Sequence, residues 1–165
     1  MEVVGLYAAA KSRQDVEAAL DLCTEDFVLD TVAFGIRGVG SDAVAAQLRV
    51  FFATFPDYRV VIEGQAAADE TVAAWGTLHA TMRGALGSIA ANGRACALPF
   101  ACVFELRGDR LAAERFFFDL STMCEQLALP VERVAAELRT FRTALRVALP
   151  AEDLWARPAA CAARS

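Results

Sequence analysis

Two acidic residues stand in apolar surroundings, where a bare carboxylate is costly. Asp119 ends the aromatic run Arg115-Phe116-Phe117-Phe118-Asp119-Leu120, and Asp30 interrupts Phe27-Val28-Leu29-Asp30-Thr31-Val32-Ala33-Phe34. A carboxylate taken out of water must pair, take up a proton or do chemistry. Desolvation raises its pKa toward neutrality, which suits a general acid or base. Each also has a plain structural use. Asp30 could cap a turn at a strand end, and Asp119 could pair with Arg115 or cap a helix beginning near Leu120. The only histidine, His79, lies in phase with Trp75, Thr77 and Thr81. It could shuttle protons near neutral pH or sit satisfied in a sheet. Tyr7 could donate a hydrogen bond to a developing oxyanion or fill the core with its hydroxyl at the rim. Trp75, Phe34, Phe117, Tyr58 and Arg115 are candidates for substrate contact. Phe100, Phe104, Phe116 and Phe118 could line an apolar pocket or be plain core. No glycine-rich phosphate loop, G-x-S-x-G segment or metal-ligand cluster is present in the sequence, so no metal site and no cofactor are expected. An enzyme built on these residues would use acid–base chemistry alone.

The elements that must hold these groups follow from periodicity. Glu2 to Ala10 reads as a helix with Val3, Leu6, Tyr7 and Ala10 on one face, and Asp15 to Cys23 as a second helix. Phe27 to Phe34 reads as a strand, on which Val28, Val32 and Phe34 share the face of Asp30 under strict alternation. Gly35, Gly38 and Gly40 predict a loop, and Ser41 an N-cap for a helix from Asp42 to Thr54 that Pro56 ends. Four strand-like segments follow: Tyr58 to Glu63, Thr71 to Arg83, Arg94 to Leu106 and Leu111 to Asp119. The turn signal Arg107-Gly108-Asp109-Arg110 predicts a hairpin between the last two. Strict alternation in the last puts Asp119 on one face with Leu111, Ala113, Arg115 and Phe117. Leu120 to Leu127 reads as helix. Pro130 opens a final helix from Val131 to Val147 with Val131, Val134, Leu138, Phe141 and Leu145 as its apolar stripe. Helices gathered on one side of an antiparallel sheet make an α+β fold, here a strongly bent sheet around a cone-shaped pocket.

Composition narrows the partners. The chain has 165 residues, 56% of them hydrophobic, and carries a net charge of −5 with only 16 Lys and Arg, all but one of them Arg. No basic cluster points to nucleic acid. Five cysteines, Cys23, Cys96, Cys102, Cys124 and Cys161, are widely spaced and form no C-x-x-C pair, as expected of free thiols in a reducing compartment. The sequence shows no signal-like segment and no apolar run long enough to span a membrane. The expectation is a cytoplasmic protein with no membrane partner and a small apolar molecule as ligand.

Several segments, taken in order, resemble the SnoaL-like polyketide cyclases of the nuclear transport factor two-like and ketosteroid isomerase-like superfamily. They are Val3-Val4-Gly5-Leu6-Tyr7-Ala8-Ala9, Asp15-Val16-Glu17-Ala18-Ala19-Leu20, Thr24-Glu25-Asp26-Phe27-Val28-Leu29-Asp30, Gly38-Val39-Gly40-Ser41-Asp42-Ala43-Val44, Phe55-Pro56-Asp57-Tyr58, Gly93-Arg94 and Phe116-Phe117-Phe118-Asp119. The resemblance covers Val3 to Leu129. It implies a cone domain over 1–129, with 130–165 as a helical extension and tail, and a homodimer packed through the outer face of the sheet. It implies that Asp119 is the acid–base aspartate of a ring-closing intramolecular aldol addition needing neither metal nor cofactor. Asp30 is similar in position to the general base of the ketosteroid isomerases, and Tyr7 to their oxyanion-donating tyrosine. Their second aspartate falls near Ala101. The cyclases' histidine falls near Val103 or Glu105, while His79 lies one strand earlier.

Three functions are therefore expected in this order. The first is a cofactor-independent cyclase of polyketide-like, carbonyl-bearing substrates in secondary metabolism, with Asp119, Asp30, His79 and Tyr7 as its catalytic groups. The second is an epoxide-opening hydrolase or cyclic-ether-forming enzyme using Asp30 and Asp119 with Arg115 or Arg83. The third is a non-catalytic ligand-binding module. The helix after Pro130 could cover the outer face of the sheet or seal the pocket mouth.

Overall fold

Apolar alternation after Pro56 becomes an antiparallel meander, and the rest of the fold is arranged around its concave side. The structure is a computed structural model and describes residues 2–144. Its elements are α1 (Glu2–Ser12), α2 (Val16–Leu20), β1 (Cys23–Thr31), a single 3-10 turn (Val32–Phe34), β2 (Ile36–Val39), α3 (Ser41–Thr54), β3 (Arg59–Ala68), β4 (Thr71–Thr81), β5 (Ala95–Arg107), β6 (Arg110–Phe118), α4 (Leu120–Gln126) and α5 (Val131–Ala144). The six strands form one sheet in the order β2-β1-β6-β5-β4-β3. Only β1 and β6 run parallel; every other neighbouring pair is antiparallel. The chain is thus an α+β cone, as its segment pattern requires. Among the described residues no helix is long and apolar enough to cross a membrane.

Local chemistry explains most boundaries. The Asp15 carboxylate accepts the Ala18 N–H and starts α2. Gly35 takes the left-handed conformation (φ +59°) that turns the chain out of the 3-10 turn into β2. The glycine-bearing stretch expected to be a loop is therefore a short edge strand, paired with β1 from Val28↔Val39 to Thr31↔Ile36. Its glycines hide the strand because glycine carries no β signal of its own. Ser41 is the first helical residue of α3, and Gly40 occupies the cap position with no side-chain bond.

Two bulges break the strict alternation. In β3 the register skips Glu63, between Ile62↔Gly76 and Gly64↔Trp75. In β6 it skips Ala112, between Leu111↔Leu106 and Ala113↔Glu105. An extra residue bends its strand and reverses which face later residues occupy. Beyond Ala112, Glu114, Phe116 and Phe118 therefore point to the concave side, while Arg115 and Phe117 point outward.

The core fills the concave side with Val4 and Tyr7 of α1, Leu48 and Phe52 of α3, Leu98 and Phe100 of β5, and Val134 and Leu138 of α5. α5 thus packs on the concave side and shares its core with α1, α3 and β5, and its Leu138 and Phe141 face the cavity there. Leu145, expected on its apolar stripe, and Cys161 lie outside the described residues. On α1 the buried stripe is Val4, Tyr7, Ala10 and Lys11, rotated from the expected one, and Leu6 is 52% exposed.

Candidate active site

Thr31 of β1, Phe34 of the 3-10 turn, Phe51 of α3, Phe116 and Phe118 of β6 and Phe141 of α5 enclose an apolar cavity of about 60 Å³. The ring edges interlock: Phe34 meets Phe118 edge-on at 5.2 Å between centroids, and Phe51 meets Tyr58 in the same way at 5.2 Å. Such packing gives a preformed apolar wall. Lys11 and Tyr58 lie on the floor. Both also line a second cavity of about 20 Å³, whose other walls include Tyr7, Cys102 and Glu114.

A buried network reaches from Lys11 into the second cavity. Lys11 Nζ donates to Glu114 Oε1 at 3.0 Å and to Oε2 at 2.9 Å, and Tyr7 Oη donates to Oε2 at 2.8 Å. The Cys102 thiol lies 3.6 Å from Oε1. The Lys11 and Glu114 side chains are only 8% and 2% exposed. Lys11 Nζ also sits 4.9 Å from the centre of the Tyr7 ring and 5.4 Å from that of Phe116, where the aromatic faces favour a cation. Burial disfavours the lysine charge, but the adjacent Glu114 outweighs it and holds the ammonium pKa above the ordinary lysine value of 10.5. Tyr7 is pushed well up by burial and by the Glu114 charge, so its hydroxyl stays a donor. Burial raises Tyr58 too, with Lys11 opposing. Cys102 is pushed well up by burial and by Glu114, and stays a neutral thiol.

Higher on the wall, Gln47 Nε2 donates to Thr31 Oγ1 at 3.0 Å, while the buried Gln47 Oε1 has no hydrogen-bond partner. Gly38 leaves room for that oxygen, since a Cβ there would lie 2.8 Å from it. The cavity therefore offers an ammonium and a phenol on its floor and an amide on its side.

The expected site residues divide between the two faces of the sheet. Tyr7, Phe34 and Tyr58 line the cavities. Asp30 does not. Phe27 and Leu29 turn toward the core, which sends Asp30 to the opposite face. There it pairs across the sheet with Arg37 and Arg115. Its Oδ2 lies 3.8 Å from Arg115 Nε, so Arg115 serves an ion pair and not the cavity. Asp119 is exposed and is the N-cap of α4, its Oδ1 accepting the Thr122 N–H. That bond lowers its pKa, the reverse of what a general acid at neutral pH requires. His79 and Trp75 stand on the outer face of β4, as does Phe117 on β6. His79 borders an open groove of about 560 Å³ with Asp57, Arg59 and Gln126. Asp57, in the Phe-Pro-Asp segment, accepts the Thr81 N–H at 2.7 Å and ties the end of α3 to β4.

Lys11, Glu114, Gln47 and Cys102 were not anticipated from the sequence. Two signals pointed to the first pair. Lys11 is the only lysine in the chain and lies one helical heptad from Val4, in phase with Tyr7. Glu114 alternates with Phe116 and Phe118, as a residue of the same strand face must.

Comparison with known proteins agrees with this architecture. A protein from Catenulispora acidiphila with a ketosteroid isomerase-like fold, solved in complex with trimethylamine, superposes with a TM-score of 0.71 at 21% identity, covering 79% of this chain and 95% of that one. A protein from Pseudomonas putida proposed to be a polyketide cyclase has a TM-score of 0.66 at 27% identity, covering 76% and 96%. A nuclear transport factor two-like protein of unknown function from Burkholderia pseudomallei has a TM-score of 0.67 at 21% identity, covering 77% and 95%. No curated protein matches the chain. The model of the SnoaL-like polyketide cyclases matches residues 1–127, and with that match over most of its length the chain belongs to this family.

Proposed function

We propose that the chain is a cofactor-independent acid–base enzyme that forms and uses an enolate of an apolar, carbonyl-bearing substrate, as a ring-closing aldol cyclase does. The observation that carries this reading is the charged Lys11–Glu114 pair at the junction of the two cavities: Lys11 lines the larger, mostly apolar one, and Glu114 and Tyr7 line the smaller one that Lys11 shares. An ammonium has three N–H donors. Glu114 engages two, and the third is available to a carbonyl oxygen in the cavity, with the Tyr58 hydroxyl beside it. Glu114 takes a proton from the carbon next to that carbonyl. The enolate oxygen gains negative charge against Lys11. The enolate carbon then bonds to a second carbonyl carbon of the same molecule, and Glu114 returns the proton to the new alkoxide. A fixed cation in a water-poor site stabilises such a charge far more than it would in water.

The test is α-proton exchange of acetone into deuterated water, followed by NMR. Glu114→Gln and Lys11→Met are each expected to slow the enzyme-dependent exchange at least a hundredfold, while Asp119→Asn and Asp30→Asn keep the wild-type rate. Wild-type exchange in folded Glu114→Gln would remove the glutamate from the mechanism. A second reading, a ligand-binding protein without chemistry, is favoured by one observation: both Glu114 oxygens already accept hydrogen bonds. It predicts no exchange above the solvent rate in the wild-type protein.

For the homodimer we propose the outer face of the sheet, where Trp75 is 46%, Val61 45% and Phe117 36% exposed. Contiguous exposed apolar side chains of this size mark contact surfaces. Trp75→Glu is expected to halve the mass measured by sedimentation equilibrium without changing the circular dichroism. An unchanged mass for both proteins places the contact elsewhere or removes it.

A further inference from the structure

We propose that Leu138 and Phe141 of α5 set how much of the ligand enters the cavity and admit only the slender, acyclic carbonyl end of the substrate. This rests on the reading of Lys11 as the group that holds the carbonyl. The family match ends at residue 127, and α5 begins at Val131, so this wall is an addition to the part of the chain the family accounts for. Leu138 and Phe141 line the same cavity as Lys11. An apolar protein cavity of about 150 Å³ is enough for benzene. The cavity here has about 60 Å³, so with both side chains in place it takes up less than one aromatic ring, and the rest of a dicarbonyl substrate extends through the mouth.

The wall is pinned on both sides of the mouth. Val134 and Leu138 are buried in the core. Glu137 accepts the Ser88 hydroxyl and Arg133 donates to the Ser88 carbonyl oxygen, tying α5 to the segment after β4. On the other side the Arg142 guanidinium lies so close to Gly35 that a Cβ there would be 2.7 Å from Nη1. The helix therefore acts as a fixed side of the cavity, and removing part of a side chain that lines it enlarges the space for ligand, at the stability cost usual for a truncated apolar side chain.

The experiment is an NMR titration with acetone, cyclohexanone and α-tetralone of the wild-type protein, Leu138→Ala, Phe141→Ala, and Phe141→Ala combined with Lys11→Met. The wild-type protein is expected to bind acetone and to reject α-tetralone. Leu138→Ala and Phe141→Ala are each expected to raise affinity for α-tetralone relative to acetone at least tenfold. Phe141 is the less buried of the two, so its variant keeps the test open if Leu138→Ala unfolds. A folded Phe141→Ala protein with the wild-type preference overturns the proposal, and so does a failure of all three ketones to bind any of the proteins. If ketone affinity in the Phe141→Ala protein is untouched by Lys11→Met, the carbonyl-holding role of Lys11 falls and the size-limiting wall stands.

Discussion

Lys11→Met is expected to lower stability by about 3 kcal/mol or more, because it leaves the Glu114 carboxylate buried without its cation. Glu114→Gln is expected to cost a similar amount by stranding the ammonium. The double variant Lys11→Met plus Glu114→Gln is expected to cost less than the two single changes together by about 2 kcal/mol, since it removes both charges and leaves the new amide to accept the Tyr7 hydroxyl. Urea unfolding of the four proteins measures the cycle, and strictly additive costs would show that the two charges do not interact. A pair kept for structure alone would be dispensable in the double variant, which would then behave as the wild type in ketone exchange. A pair kept for chemistry yields a folded protein with no exchange.

The same pair fixes the pH dependence. Lys11, Tyr7 and Tyr58 all have folded pKa values raised above their ordinary values of 10.5, 10.0 and 10.0. A raised folded pKa contributes stability that is fully present below the unfolded pKa and is lost as pH rises through the folded one. These groups therefore leave stability unchanged from pH 7 to about 9.5 and withdraw it above about pH 10. Thermal unfolding across that range is expected to show a shallower alkaline decline for Lys11→Met than for the wild-type protein.

The sequence made the scaffold more legible than the site. The β5–β6 hairpin follows from Gly108 and from long alternating runs, and α3 from its apolar spacing and Pro56. These signals are local, and local chemistry decides them. The site depends on which face of a strand each residue occupies, and a single extra residue reverses that. Alternation counted from Leu111 puts Arg115, Phe117 and Asp119 together on the interior. The bulge at Ala112 shifts the phase, so that Glu114, Phe116 and Phe118 go inward. Nothing in the periodicity of β6 announces that bulge, because alanine fits either face. Asp30 shows the converse case. Its segment alternates correctly, but Phe27 and Leu29 outweigh Val28 in choosing the core face, and the aspartate goes outward to two arginines on neighbouring strands. Arg37 is only seven residues away, but Arg115, the one within ion-pair reach, is far off in sequence, so that pairing is readable only from the register. Asp119 was readable as a cap from its own neighbourhood, and the following helix uses it as one.

Gly76→Ala is expected to cost about 3 kcal/mol, at the upper end of what overpacking usually costs. A Cβ on Gly76 would lie 1.9 Å from the Val61 carbonyl oxygen and 3.0 Å from the Glu63 nitrogen. Both obstacles are backbone atoms of the β3 bulge, which folds over β4 at this point. Neither can rotate away, so β3 must move, and its movement carries Tyr58 and the cavity floor with it. Gly64→Ala gives the contrast. There a Cβ would lie 2.3 Å from the Trp75 indole, an outward side chain that can turn aside. That change is expected to cost only about 1 kcal/mol, because what yields is a rotamer and not a strand. Urea unfolding followed by circular dichroism separates the two. Equal costs would mean that the bulge is pliable and that the bend in the sheet, on which the depth of the cavity depends, is not held by Gly76. A large cost at Gly76 alone would locate the bend in one close backbone crossing. The absence of a side chain at that crossing would then shape the cavity as directly as the residues that line it.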